Sequence, residues 1–363
     1  MISRQVTSRF QRAVSSARMS TMTAAAENGS RPERAPLFSQ EHEALRQTTR
    51  KLIDSEINPY VDEWEKNKIF PAKELFPKLG KAGLLGISKP TKYGGSGLDF
   101  SYSVAFAEEL ANINAQAIGM AIGVQTDMAT PALMRFGSDK LCKEFLVPAI
   151  TGEAVACIGV SEPGAGSDVA AIRSHAKKSG DDYIINGSKM WITNSCQADW
   201  MCMLVNTGSA DKPSHRNKSL IMVPMKTKGV TVNRRIDKIG NHSSDTGEIF
   251  FDDVRVPQWH LIGEENMGFM YQMMQFEQER LFAAATTPAV LDRVIKITID
   301  YCRERTTFGQ PLINNQYIHF RLAELQTEIE CLRALNYRCL DKILQGDNCT
   351  ELVSMAKVSI EKM

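Results

Sequence analysis

The stretch Ile158-Gly159-Val160-Ser161-Glu162-Pro163-Gly164-Ala165-Gly166-Ser167-Asp168 divides the chain into two kinds of pattern. Before it the apolar spacing is helical. After it the period becomes that of strands. Gly164 and Gly166 allow the backbone to approach a neighbour closely. Ser161, Ser167 and the N–H groups around them can donate hydrogen bonds. Two readings stay open on this stretch alone: an anion-binding nest and an ordinary tight turn. It is not a dinucleotide fingerprint, because no G-x-G-x-x-G links a strand to a helix here. The Lys-Ser/Thr pair of a phosphate loop is also missing.

Upstream, Ser39 can cap a helix that carries Glu41 and Glu43 in its first turn. Leu45, Leu52 and Ile57 keep the apolar spacing until Asn58-Pro59 breaks it. A second helix is expected over Ala72–Ala82, closed by Gly83. Phe100–Val124 reads as one long apolar helix, and Ser138 caps another. Downstream, the turn Gly180-Asp181-Asp182 before Tyr183–Ile185 reads as a hairpin. Ser219–Val223, Val230–Val232 and Glu248–Val254 add β-rich runs, and Pro257 closes the zone. The polar stretch 207–218 is expected to be a mobile surface loop. From Met267 the pattern is helical again, over about 267–303 and 315–345, with a third helix from Thr350. The methionines 267, 270, 273 and 274 sit at helical spacing and read as adaptable packing, with the lining of a long apolar pocket as the alternative. Helix, then strand, then helix argues for separate layers, an α+β chain rather than an alternating sheet.

The 363 residues predict two or three domains. With 43 Lys+Arg and 42 Asp+Glu the net charge is +1, which gives no reason to expect nucleic acid or an anionic surface as partner. No run approaches the length of a membrane span. The eight cysteines form no C-x-x-C, and the histidines show no ligand spacing, so no metal site is expected. Scattered cysteines in a chain of this size read as free thiols.

Residues 1–26 are a different kind of sequence. They carry Arg4, Arg9, Arg12 and Arg18, several serines and no acidic residue before Glu27. Ile2, Val6, Phe10, Val14 and Ala17 share one helical stripe. That composition predicts a mitochondrial transit peptide, with residues 24–36 as linker or cleavage zone, and hence the mitochondrial matrix; a disordered basic tail is the alternative.

The order of motifs decides more than any one of them. After the glycine turn come Asn186-Gly187-Ser188-Lys189-Met190-Trp191-Ile192-Thr193-Asn194, then Phe250-Phe251-Asp252-Asp253-Val254-Arg255-Val256-Pro257, then Arg305-Thr306-Thr307-Phe308-Gly309 with Gln316. This ordered set resembles the acyl-CoA dehydrogenase family of flavoproteins, from about Leu37 to Met363. The resemblance implies an N-terminal all-α domain over 37–153, a middle β-barrel or sandwich domain over 154–265, and a C-terminal helical bundle over 266–363. It implies FAD as cofactor and acyl-CoA as substrate. Electron-transferring flavoprotein is the implied acceptor, and a homotetramer the implied assembly. Ile158, Val160, Ser161, Gly166 and Ser167 would line the flavin, with Ser167 also at the acyl-CoA side. Trp191, Ile192 and Thr193 would contact its ring. Arg305, Thr307, Phe308 and Gln316 match positions that hold the FAD of a partner subunit. An arginine suits a pyrophosphate and an aromatic side chain suits a flat apolar ring. Taken without the motif, Trp191 would read as core packing.

The reaction implied is α,β-desaturation. A carboxylate removes the α-proton while hydride leaves the β-carbon. In most relatives the base lies on a late Glu-Gly-Thr loop, which falls beyond Met363. In the long-chain and isovaleryl types it lies on the helix that here reads Gln275-Phe276-Glu277-Gln278-Glu279-Arg280-Leu281. Glu279 matches that position. Its neighbours at i±3 and i±4 are Gln275, Phe276, Phe282 and Ala283, none of them charged, so its pKa is expected to be raised. Glu277 has Arg280 at i+3, which predicts a surface ion pair. The two glutamates are about 200° apart on a helix, so only one can face the flavin. Arg280 matches a position near the CoA portion, with Glu277 beside it on the substrate side. The last helix stops at Met363 without a cap or polar tail, which predicts a truncated bundle. A catalytically incompetent truncated subunit is therefore the alternative reading, and a peroxisomal acyl-CoA oxidase a third.

Overall fold

In the computed structural model, residues 37–209 and 213–362 are described. The Arg-rich N-terminus and its expected transit peptide lie outside them, as do residues 210–212 of the polar stretch. The first layer holds α1 (Gln40–Leu52), α2 (Val61–Asn67), α3 (Ala72–Lys81), α4 (Phe100–Leu110) and α5 (Gln116–Gly123). Three shorter helices follow, α6 (Pro131–Phe136), α7 (Asp139–Leu141) and α8 (Val147–Thr151). Ser138 caps α7 by accepting from the Leu141 N–H, as expected.

The long apolar run at 100–124 is two helices, not one. The chain breaks after Leu110 and resumes at Gln116. Asn112 and Asn114 favour a turn locally. Distant residues supply the partners that the broken helix needs. The Arg293 guanidinium donates to the Ala111 carbonyl at 2.6 Å and to the Asn114 side chain at 2.6 Å. Asn58 donates to the Asn112 carbonyl and accepts from the Asn114 N–H. Helix-end carbonyls need such partners, and nothing within the segment itself announces them. The first helix also ends earlier than its apolar spacing predicts. It passes through one π-helical turn, Ile53–Ile57, before Asn58-Pro59.

The middle layer is an eight-stranded sheet. Its strands are β1 (Ala156–Gly159), β2 (His175–Ser179), β3 (Asp182–Thr193), β4 (Trp200–Asn206), β5 (Lys218–Pro224), β6 (Val230–Arg235), β7 (Thr246–Pro257) and β8 (Leu261–Ile262). The order is β6-β7-β3-β2-β4-β5-β8, with β1 paired to β4 in parallel. The hairpin expected at Gly180–Asp182 is the antiparallel β2–β3 pair. Alternate residues of six strands, among them Ile185, Ile192, Met203, Ile221, Ile249 and Val254, meet in one core. The polar stretch before β5 ends earlier than expected. Lys218 is 1% exposed, and its ammonium donates to the Ser214 carbonyl and Asn217 Oδ1.

The third layer is α9 (Gly268–Glu304), α10 (Gln316–Gln345) and α11 (Thr350–Lys362). A two-stranded hairpin, β9 (Thr306–Thr307) with β10 (Gln310–Pro311), joins α9 to α10. Leu281, Phe282 and Ala285 of α9 enter the same core as Phe106 and Leu110 of α4 and Ile118 and Ile122 of α5. The outer helical layers therefore share one core. All eight cysteines are free thiols. Among the described residues no cluster of His, Cys, Asp or Glu is placed to hold a metal, and no helix is long and apolar enough to cross a membrane.

Candidate active site

The dividing stretch forms a reverse turn. The Glu162 N–H donates to the Ala165 carbonyl at 2.9 Å, and the Ala165 N–H returns to the Glu162 carbonyl at 3.1 Å. Of the two readings left open by the sequence, the tight turn is the one adopted. Its tip is held from below by a buried ion pair. The Lys189 ammonium lies 2.9 Å from Glu162 Oε1 and 2.9 Å from the Val160 carbonyl. The backbone N–H groups of Arg173 and Ser174 donate to the same carboxylate at 2.6 and 3.0 Å. Burial pushes the Glu162 carboxyl up, but Lys189 and these donors more than reverse the push, so it stays below its ordinary value. Burial, opposed by Glu162, lowers the Lys189 ammonium to about 8.

Sequence reasoning missed this pair. A signal was present: Lys189 stands at an inward position of β3, where a charge has to find a partner. The consequence appears two residues later. The register of β3 against β7 slips between Lys189 and Ile192, the mark of a bulge. Trp191 sits on it with φ 66°, in the left-handed region. Its indole is 56% exposed. Core packing, the reading without the motif, is thereby overturned. A bulky residue at positive φ costs about 1 kcal/mol or more and is a mark of functional sites. The Met190 N–H donates to the Ser161 carbonyl at 3.0 Å, so the bulge and the glycine turn are one unit. A Cβ added at Gly164 or Gly166 would meet nothing within 4 Å, so the turn faces open space. Ser167 is exposed, and Ser161 and Thr193 are half-buried. Val160 and Ile192 differ: their side chains lie in the cores on either side of the sheet, leaving only backbone for a ligand.

Helix α5 joins this unit to α9. Asn194, at the end of β3, donates through Nδ2 to the Ala121 carbonyl at 3.0 Å. Two residues on, a Cβ at Gly123 would stand 2.7 Å from the Phe282 ring, so a side chain there would force α9 away. Gln275 makes the second link. It accepts from the Ala132 N–H at 3.0 Å and donates to the Met128 carbonyl. Between these clamps lies Glu279. Its Oε2 is sealed from solvent and has no hydrogen-bond partner. Burial pushes its carboxyl up to about 7; Arg280 pulls it down, and Asp127 pushes it further up. The expected rise is present, but its electrostatic surroundings include two charged groups that helical spacing did not reveal. Asp127 lies in the π-helical turn Val124–Met128, and a tertiary contact brings it close.

The expected Glu277–Arg280 ion pair is not formed. Glu277 accepts from the Thr350 hydroxyl and the Cys349 thiol, fastening the start of α11 to α9. The Arg280 guanidinium instead lies over the Phe276 ring, 5.7 Å from its centroid. Arg305, Phe308 and Gln316 are exposed and Thr307 is half-buried, all around the β9–β10 hairpin at the far end of α9. Twenty-six residues of helix place them about 39 Å along the axis from Glu279. The structure thus brings Ser161, Gly166, Trp191 and Thr193 together on one unit but leaves the Arg305 group apart.

Family models described as the acyl-CoA dehydrogenase N-terminal, middle and C-terminal domains match residues 39–153, 157–254 and 266–363. The chain belongs to the acyl-CoA dehydrogenase family. The mitochondrial long-chain specific acyl-CoA dehydrogenase of Rattus norvegicus is 37% identical over 305 residues, 84% of this chain and 70% of that one. The crystal structure of an acyl-CoA dehydrogenase from Geobacillus kaustophilus superposes with a TM-score of 0.86 at 37% identity, covering 91% of this chain and 86% of that one. A glutaryl-CoA dehydrogenase from Mycobacterium smegmatis, solved in complex with FADH2, superposes at 0.80 with 27% identity, covering 90% and 82%. The family is FAD-dependent and dehydrogenates acyl-CoA at a CH–CH bond. The residues present fit that cofactor: an exposed indole on a strained bulge, beside an open glycine turn, suits a flat ring system.

Proposed function

We propose that this chain desaturates a fatty or branched-chain acyl-CoA between its α- and β-carbons, with Glu279 as the base. The observation that carries this reading is the sealed, unpartnered Glu279 Oε2 on a helix clamped to the flavin-side unit through α5. A thioester α-proton is weakly acidic, and a carboxylate whose pKa is raised toward neutrality is a better acceptor for it. Burial also keeps water from competing for the proton. FAD, when bound, supplies the acceptor for the β-hydride. Ser161, Gly166, Trp191 and Thr193 would hold its ring, with the backbones of Ile158, Val160 and Ile192 beneath. Ser167, Arg280 and Glu277 stand on the CoA side of the reading, although Glu277 already serves α11.

Arg305, Thr307, Phe308 and Gln316 would hold the cofactor of a second subunit. Their distance from Glu279 along α9 supports that role, as does the full exposure of Phe308. Val294, Ile297, Tyr301, Tyr317 and Phe320 are exposed on the same two helices, an apolar surface that fits a homotetramer. The N-terminal composition supports the mitochondrial matrix, and electron-transferring flavoprotein is the acceptor the reading requires.

Anaerobic titration of the purified protein with acyl-CoA tests the proposal. The flavin absorbance is expected to bleach. A flavin that stays yellow with every acyl-CoA overturns it, and a colourless protein shows that this chain does not hold the cofactor by itself. A protein that bleaches but reoxidises rapidly in air favours the oxidase. The pH profile gives a second check. The free enzyme must hold Glu279 ionised, so kcat/KM is expected to rise about tenfold per pH unit below 7 and to level off above it. A profile flat from pH 5 to 8 would remove Glu279 from the role.

A further inference from the structure

Two charged residues are buried behind Glu279. Lys89 is 2% exposed and Asp127 6%. Taking charges out of water is costly, so such a pair calls for a reason. The loop that carries Lys89 is tightly laced. Its N–H donates to the Gly86 carbonyl at 3.1 Å, its carbonyl accepts from the Gly97 N–H at 2.8 Å, and that carbonyl leaves no room for a Cβ at Gly95. Asp127 stands on the π-helical turn Val124–Met128, and such turns occur often at functional sites. Side chains take up the carbonyls of this turn. The Thr126 carbonyl accepts from the Lys89 ammonium at 2.6 Å and from the Thr130 hydroxyl at 2.8 Å, and the Met128 carbonyl accepts from Gln275. Two contacts bracket the turn against α9: Gln275 with Met128, and Phe282 with Gly123. Glu279 lies between Gln275 and Phe282, one turn from each, and Asp127 lies between Gly123 and Met128. The two acidic residues therefore share one packed interface. A cavity of about 10 Å³, room for one water at most, lies beside Lys89, Ser103, Thr126 and Asp127. With so little water around them, these charges are weakly screened.

We infer that Asp127 is a positioning residue for the desaturation: its charge, kept in place by Lys89 behind it, holds Glu279 ready to take the substrate's α-proton. The inference rests on the reading of Glu279 as the base and deepens it. A carboxylate is more basic beside a second one, because ionising both costs repulsion. Asp127 acts on Glu279 in this sense, adding to burial and opposing Arg280. A carboxyl buried as deeply as Asp127 would by itself take up a proton and lose that influence. Burial does push it up, and Lys89 is the first group to oppose the push. Burial lowers the Lys89 ammonium to about 8, with Asp127 opposing and Arg135 of α6 assisting. The charges that act on Glu279 are thus Arg280 on its own helix and Asp127 on the π-helical turn, with Lys89 and Arg135 behind Asp127.

The test compares kcat/KM at pH 6 and pH 8 in the flavin-containing protein. With a base at about 7, the unaltered protein should be about tenfold slower at pH 6. Asp127→Asn removes the second charge, so Glu279 stays ionised to lower pH and the tenfold fall should shrink to about threefold or less. Asp127→Leu combined with Lys89→Met should shrink it in the same way. Apolar side chains often replace a buried charge pair without loss of stability, so this variant decides if Asp127→Asn, which strands the ammonium, fails to fold. A role in folding alone would lower both rates together and leave the tenfold ratio intact. Melting without substrate is a readout independent of turnover. Glu279→Gln should raise the melting temperature at pH 8, because it removes a buried charge, and in the Asp127→Leu, Lys89→Met background that rise should be at most about half as large. An unaltered protein with no fall from pH 8 to pH 6 removes Glu279 as the base and this inference with it. A tenfold fall that persists in either folded variant, or an undiminished melting rise, overturns the role of Asp127 and leaves that of Glu279 standing.

Discussion

Glu279→Gln is expected to leave a folded, flavin-containing protein that acyl-CoA bleaches at least about a thousandfold more slowly. General bases contribute about 10²- to 10⁴-fold, and the desaturation has no other step to which an ionised carboxylate on α9 can contribute. The substitution keeps the size and the hydrogen-bonding atoms of the side chain while removing the proton acceptor. Stopped-flow anaerobic reduction measures the loss directly. Bleaching at the unaltered rate sinks the assignment.

The same substitution carries a stability signature of opposite sign. The folded-state pKa of Glu279, about 7, lies above its ordinary value of 4.5. The folded protein therefore holds the proton more tightly than the unfolded chain does. The stability this contributes is complete below pH 4.5 and is lost as pH rises through 7. Above pH 7 an ionised Glu279 is buried at a cost of at most about 3 kcal/mol, which glutamine does not incur. Without substrate, Glu279→Gln should melt several degrees higher than the unaltered protein at pH 8 and no higher at pH 5. Equal melting temperatures at both pH values would place the carboxylate in water.

The second large effect belongs to Lys189. Lys189→Met removes the ammonium and leaves Glu162, 8% exposed, with only the Arg173 and Ser174 N–H groups. Removing one partner of a buried pair costs about 3 to 5 kcal/mol, because the other charge is left without compensation. The remaining donors place the expected loss near the lower end. The glycine turn and the Trp191 bulge are the structures that the pair supports, so the flavin should be lost with the stability. Urea midpoints and the absorbance ratio of flavin to protein report the two losses. Glu162→Gln combined with Lys189→Met should recover part of the stability, because it removes the orphaned charge. A Lys189→Met protein as stable and as yellow as the original would show that the pair holds nothing in place.

Much of the layered fold was legible because it rests on local periodicity. The end of α3 at Lys81, the hairpin at Gly180–Asp182 and the limits of α9 and α10 lie within a residue or two of where spacing and turn chemistry put them. Errors came where distant groups acted on local preferences. Phe100–Val124 is apolar enough for one helix, but Arg293 and Asn58 hold the break open. Glu277 and Arg280 are well spaced for an ion pair, but Thr350 and Cys349 reach Glu277 instead.

The site divides in the same way. The amino-acid sequence by itself determined the family, the candidate flavin-side motifs and Glu279 as the candidate base, because residue types at fixed spacing survive without knowledge of the fold. It also predicted a raised carboxyl pKa from the uncharged neighbours on one helix. Only the tertiary structure decided that Asp127 and Arg280 act on that carboxyl, that Lys189 and Glu162 brace the glycine turn, and that Trp191 stands out from a bulge. The seating of Lys89 behind Asp127 is decided there too. A loop and a π-helical turn far apart in the chain bring the two together, and contact between distant segments is a property of their packing, to which no local pattern corresponds.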